Sequence, residues 1–210
     1  MVTKEELEIV NVFRKNPLKN FTFKEIMFES KKKSRNWVFN VLKNLTSNYV
    51  LLKEPIGNNF VYKANLRNSM LLSYFQIWDF NDAHINNSKL PFDLILDILG
   101  SVKKITPFFI LLVFGSYADK SNKKTSDLDL AFIVDSTEIK KRIMPYIERI
   151  TRKNIKSVDY QIITKEEFKE MLLREEENLG KEIFRKHILI WGNNAYYELI
   201  RQAEENGFKG

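Results

Sequence analysis

"VFGSYADKSNKKTSDLDLAFIV", residues 113–134, is the stretch from which the rest of the chain can be read. One apolar run ends in Gly115-Ser116, and after ten intervening residues Asp127 and Asp129 flank Leu128 at the head of a second. Side chains alternate along a strand, so Asp127 and Asp129 are expected to project together while Leu128 and Leu130 turn to the opposite face. Two carboxylates at that separation repel unless a cation bridges them, so the pair reads as a ligand set for a divalent metal. Within "SVDYQII" (157–163), Asp159 interrupts another strand-like run, and if that strand lies beside 128–134 its carboxylate joins the first two. Three carboxylates can hold two magnesium ions about 4 Å apart, which activates an attacking hydroxyl and neutralises charge on a transferring phosphoryl group.

The glycine and serine read as the anion end of the same site. Gly115 lets the backbone approach a phosphate closely at a sharp turn, and Ser116 offers a hydroxyl and an amide. Lys120, Lys123 and Lys124 are close enough in sequence to assist. No Gly-x-x-x-x-Gly-Lys-Ser/Thr stretch occurs, so a P-loop NTPase is unsupported.

Composition narrows the chemistry. The 210 residues contain no cysteine and two histidines, which excludes disulfides, zinc ribbons and thiol catalysis and leaves hard cations such as magnesium or manganese on oxygen ligands. His84 and His187 read as ordinary polar or partly buried positions, and Trp78 and Trp191 as core. Apolar runs such as "PFFILLVF" (107–114) are too short to span a bilayer, and the acidic start "MVTKEELEIV" is unlike a signal peptide, so a cytoplasmic location is expected.

The net charge of +7 is concentrated at one end: residues 1–65 hold twelve Lys or Arg against six Glu, a net of +6. Such a segment is the footprint of a polyanion partner, or a solvated face. Its pattern predicts a helix over 3–14 capped by Thr3, a short helix near 23–29, a third helix from Ser34 with Val38, Val41, Leu42 and Leu45 inward, and a hairpin around "IGNN". Residues 66–105 read as helical. From 107 onward strands alternate with helices: strands at 107–114, 128–134 and 157–163, helices at 137–151 and from a Thr164/Glu167 capping box to about 176, then "HILIWG" and a last helix. The expected class is α/β (α+β).

The order of the first 65 residues, with "SRNWVFNVLKNL" followed by "LLKEPIGNNFVYKAN", resembles the winged helix-turn-helix family. That resemblance implies a third helix in the DNA major groove, with Ser34, Arg35, Asn36, Asn40 and Lys43 toward bases and Lys31, Lys32, Lys33, Lys53 and Lys63 toward phosphates. The alternative is a protein-docking or dimerising module whose lysines are a solvated face. Trp37, two residues from Arg35, either stacks on the DNA backbone or packs in the core.

The second resemblance covers roughly residues 90–200. Gly115-Ser116, ten residues, Asp127-Leu128-Asp129 and a later interior Asp159 look like the polymerase-beta-type nucleotidyltransferase superfamily, in particular its small minimal branch. By that resemblance the fold is a mixed sheet flanked by helices, Asp127 and Asp129 bind both metal ions, and Asp159 binds the catalytic ion and helps deprotonate the acceptor hydroxyl. Gly115 and Ser116 hold the phosphates of ATP or another nucleoside triphosphate, with Lys120 as a supporting cation. Members of that family often carry an arginine and a glycine where this chain has Asp119 and Lys120. The expected organisation is a winged helix-turn-helix domain at 1–65, a helical linker at 66–90 and a nucleotidyltransferase domain at 91–210. The expected function is magnesium-dependent transfer of AMP from ATP to a hydroxyl acceptor, such as a partner toxin in an antitoxin-like role, with DNA bound by the first domain. The alternatives are a DNA-binding transcription regulator whose second domain only senses nucleotide, and direct extension of a nucleic-acid end.

Overall fold

Capping decides where the helices of the N-terminal region start. The computed structural model describes residues 3–85 and 89–210. Thr3 and Glu6 form a reciprocal capping box at the head of α1 (Lys4–Lys15), and Thr22 and Glu25 do the same for α2 (Phe23–Glu29). The Ser34 hydroxyl accepts from the Trp37 amide (3.3 Å) and starts α3 (Arg35–Ser47). A two-residue strand β1 (Phe21–Thr22) pairs antiparallel with β3 (Asn59–Ala64), which pairs with β2 (Leu51–Ile56) across the Gly57 turn. Among the described residues this sheet runs β1-β3-β2. Ile9, Val10 and Phe13 of α1, Ile26 of α2, and Val38, Leu42 and Leu45 of α3 are buried.

The chain divides into two compact units, Met1–Trp78 with Gly207–Gly210, and Asp79–Asn206. The division falls inside α4 (Ser69–His84), within the stretch expected as a linker at 66–90. Residues 86–88 of that linker, and residues 1–2 of the first expected domain, lie outside the described residues.

In the second unit, α5 (Phe92–Lys103) precedes β4 (Phe109–Phe114), a strand buried along its whole length. A single turn of helix, α6 (Gly115–Ala118), follows, then β5 (Leu128–Val134), α7 (Thr137–Thr151) and β6 (Val158–Thr164). The remaining elements are α8 (Lys165–Leu173), α9 (Leu179–Arg185), β7 (Ile188–Trp191) and α10 (Asn193–Glu205). The sheet order is β6-β5-β4-β7, with β5 and β6 parallel and the other pairs antiparallel. It is a mixed sheet with helices on both faces: α5 and α7 share a core with Leu128, Leu130, Phe132 and Val134, while α8 and α10 pack on the opposite side. Trp78 and Trp191 are half-buried rather than fully buried; Trp191 packs against the α5/α7 core, and each keeps a polar contact. The Trp78 indole N–H donates to the Leu7 carbonyl (2.7 Å), and the Lys103 ammonium lies 3.2 Å from the Trp191 ring centre.

Candidate active site

Register brings the acids together. Asp129 lies opposite Phe114 on the antiparallel side of β5 and opposite Asp159 on the parallel side. The even-numbered residues of β5 fill the α5/α7 core, so Asp129 and its partner Asp159 share the other face. Asp127 is exposed in the loop just before β5, two residues upstream of Asp129.

The electrostatics of Asp129 are those of a carboxylate set among like charges. Burial and the charge of Asp159 push the Asp129 carboxyl above the usual carboxylate range, Asp127 and Glu182 push the same way, and a hydrogen bond from the Ser116 amide opposes them. Among the described residues no three acidic or imidazole side chains are gathered tightly enough to enclose a metal by themselves. The donor set still suits a hard divalent ion, because its oxygens repel one another and a cation removes that repulsion.

The glycine-serine turn is tied to Asp129. Gly115 has a φ of 61°, and a methyl group placed on it would sit 2.2 Å from Asp129 Oδ2. Only glycine fits both the left-handed backbone and the carboxylate lying over it. The Ser116 amide, expected to face a phosphate, donates to Asp129 in this structure and fixes its orientation.

Two features of the site had no counterpart in the sequence reading. Lys156, just before β6, donates to the Lys124 carbonyl (3.3 Å) and to the Ser126 carbonyl, and its ammonium lies 5.3 Å from the buried Tyr117 ring. With the Leu128 amide bonded to the Ser157 carbonyl (3.0 Å), this lysine pins the loop that carries Asp127. Glu182 on α9 is the second, felt by Asp129 through its charge. A lysine and a glutamate in mixed polar stretches carry no periodic signal, and only the tertiary fold shows them.

Lys120, at a position where the resembled family often has glycine, takes a φ of 60°, so the backbone keeps a glycine-like conformation under a lysine. Asp119 forms an ion pair with Lys186, which offsets the negative charge expected to oppose a triphosphate. His84 is stacked between Phe80 and Phe92, at 4.2 and 4.6 Å. His187 Nδ1 lies 2.7 Å from the Ile183 carbonyl.

In the first unit Asn36, Asn40 and Lys43 are exposed along α3, as is Phe39, which the sequence reading passed over. Ser34 is engaged as the helix cap, and the Arg35 guanidinium lies 5.5 Å from the Phe23 ring centre. Lys32 pairs with Glu8 (2.5 Å) and covers the half-buried Trp37 ring, Lys31 and Lys33 are exposed, and Lys53 lies over Phe60.

Residues 95–194, just under half of the chain, match the protein-family model described as "Polymerase beta, Nucleotidyltransferase". The second unit carries a nucleotidyltransferase domain. All of the acids and the Gly115-Ser116 turn fall inside the matched segment. None of the curated proteins matches the chain significantly. Among solved structures, a chain of one described as "Crystal structure of the toxin-antitoxin with AMP-PNP" is similar at 14% identity and a TM-score of 0.34, over 56% of this chain and 90% of that one. No helix among the described residues is long and apolar enough to cross a membrane.

Proposed function

We propose that the nucleotidyltransferase domain transfers AMP from ATP to a hydroxyl group, with magnesium or manganese held by Asp127, Asp129 and Asp159. The observation that carries this reading is the pairing of Asp129 with Asp159 beside the Gly115-Ser116 turn, an acid pair left in mutual repulsion at the mouth of the sheet. The acceptor oxygen bonds to the α-phosphorus, the bond from that phosphorus to the bridging oxygen breaks, and pyrophosphate leaves. Asp159, exposed on β6, takes the hydroxyl proton. Asp129 is held in place by the Ser116 amide, and Lys156 holds the loop that presents Asp127. The divalent ion, when bound, supplies positive charge against the triphosphate and lowers the pKa of the attacking hydroxyl. Lys120 adds a cation beside the turn.

The acceptor proposed is a hydroxyl side chain of a partner protein, in an antitoxin-like pairing. With labelled ATP, magnesium and candidate partners, the wild type transfers label and Asp127→Asn does not; transfer retained in that variant overturns the assignment. Label appearing on added oligonucleotide ends instead would identify a nucleic-acid acceptor.

The first unit is proposed to be a DNA-binding winged helix. Its order of helix, strand, helix, helix and hairpin, with Asn36, Asn40 and Lys43 exposed on α3, supports this. Neutralising Lys31, Lys32 and Lys33 is expected to lower DNA affinity and flatten its salt dependence; an unchanged slope overturns it. The chain would then act as a regulator as well as an enzyme.

A further inference from the structure

The end of α9 brings a cation to the rim of the site. β7 pairs antiparallel with β4, placing Ile188 opposite Val113, so Lys186 two residues earlier is carried past the end of β4 to the level of the turn that follows it. There its ammonium pairs with Asp119, whose amide donates to the Gly115 carbonyl (3.0 Å) one helical turn back. On the inner end of the same helix, Glu182 lies within electrostatic reach of Asp129, and its carbonyl accepts from the Lys186 amide (3.1 Å). The Glu182–Lys186 edge of α9 therefore borders both the carboxylates and the glycine-serine turn.

The Lys186 and Asp119 side chains are 60% and 43% exposed. A solvent-exposed pair of this kind holds its partners only weakly, so a more strongly charged anion draws the lysine away at little cost. A triphosphate seated at Gly115-Ser116 is such an anion. Asp119 on its own would repel it.

We propose that Lys186 is a phosphate-binding residue for the nucleoside triphosphate, held on Asp119 when the site is empty and transferred to the phosphates when nucleotide binds. This rests on the triphosphate reading of the site given above. Asp119 then acts as a competitor for the lysine, and the two partners have opposite effects on nucleotide affinity. A pair with a purely structural role would give two variants of the same sign.

The test is calorimetric titration of ATP into the full chain with manganese and no acceptor, so that no transfer is required. Lys186→Gln is expected to weaken ATP binding about tenfold, and Asp119→Asn to tighten it by about twofold to fivefold. Lys186→Arg should stay within about threefold of wild type. Unchanged melting of the three variants by circular dichroism is expected, since both side chains are exposed. Wild-type affinity in Lys186→Gln, or weaker binding in Asp119→Asn, overturns the inference while leaving the site reading intact. A wild type that binds no ATP overturns the site reading and this inference with it.

Discussion

Glu6 in the first unit and Asp129 in the second are both carboxylates partly withdrawn from water, and the chain treats them in opposite ways. Glu6 is 4% exposed and receives hydrogen bonds from the Thr3 amide (3.0 Å), the Tyr74 hydroxyl (2.8 Å) and the Asn44 amide (2.5 Å). Burial pushes its carboxyl up, but those donors together outweigh burial and hold it below the usual range. Asp129 receives one backbone donor and faces Asp159, Asp127 and Glu182, so burial and repulsion leave it above that range. A carboxylate that serves the fold is supplied with partners by the fold. The one proposed to serve chemistry is left short of positive charge, which a bound cation would provide.

The strongest test of that contrast is Asp129→Asn, which keeps an acceptor for the Ser116 amide and removes the charge. Label transfer from ATP is expected to fall at least ~10³-fold. In the same protein, relief of repulsion should raise the melting temperature by about 2–4 °C. Calorimetry showing a lower midpoint would mean the charge was compensated after all.

Gly115→Ala attacks the same carboxylate by volume. The added methyl meets Asp129 Oδ2 and demands a left-handed alanine, so the second unit should lose about 1–3 kcal/mol in urea unfolding, with transfer falling alongside.

Glu6→Gln is the counterpart in the first unit. Hydrogen exchange in α1 and α3 should show a loss of about 2 kcal/mol at neutral pH. Because the folded carboxyl is depressed, its contribution is complete above the ordinary glutamate pKa, about 4.3, and is lost as pH falls through the lower folded value. The difference between wild type and variant should therefore shrink on acidification and not on alkalinisation.

Lys156→Met removes the clamp on the Asp127 loop and should cut the transfer rate about tenfold while stability changes by about 1 kcal/mol. The smallest effect belongs to Lys120→Gly, which relaxes a left-handed lysine and is expected to stabilise the second unit by about 0.5–1 kcal/mol. No gain in the urea midpoint would show that the Lys120 side chain repays its own strain.

The order of helices and strands was legible because its determinants are local. Thr3, Thr22, Ser34 and Thr164 each begin a helix by accepting a backbone hydrogen bond, and each can be recognised from a few neighbouring residues. The alternation around Asp129 and Asp159 was legible for the same reason, since facing follows from parity once the strands are placed. Three short elements were missed, among them the four-residue α6. β1 has two residues, and α9 has seven, too few to develop a periodic pattern. With α9 unseen, Glu182 and Lys186 could not be placed near the site. The reach of Ser116 to Asp129 instead of outward, and the grip of Lys156 on carbonyls some thirty residues upstream, are contacts made by folding and have no linear signature.

β5 and β6 run in the same direction, so the chain must travel the length of α7 before Asp159 can come alongside Asp129. A nascent or partly unravelled chain that has not yet laid down β6 presents Asp129 with no neighbour on that side and, on the proposed reading of the site, would be chemically silent. Competence would then arrive late, with the closing of a long-range crossover, and an ion gripping both strands would act as a tether that resists their separation.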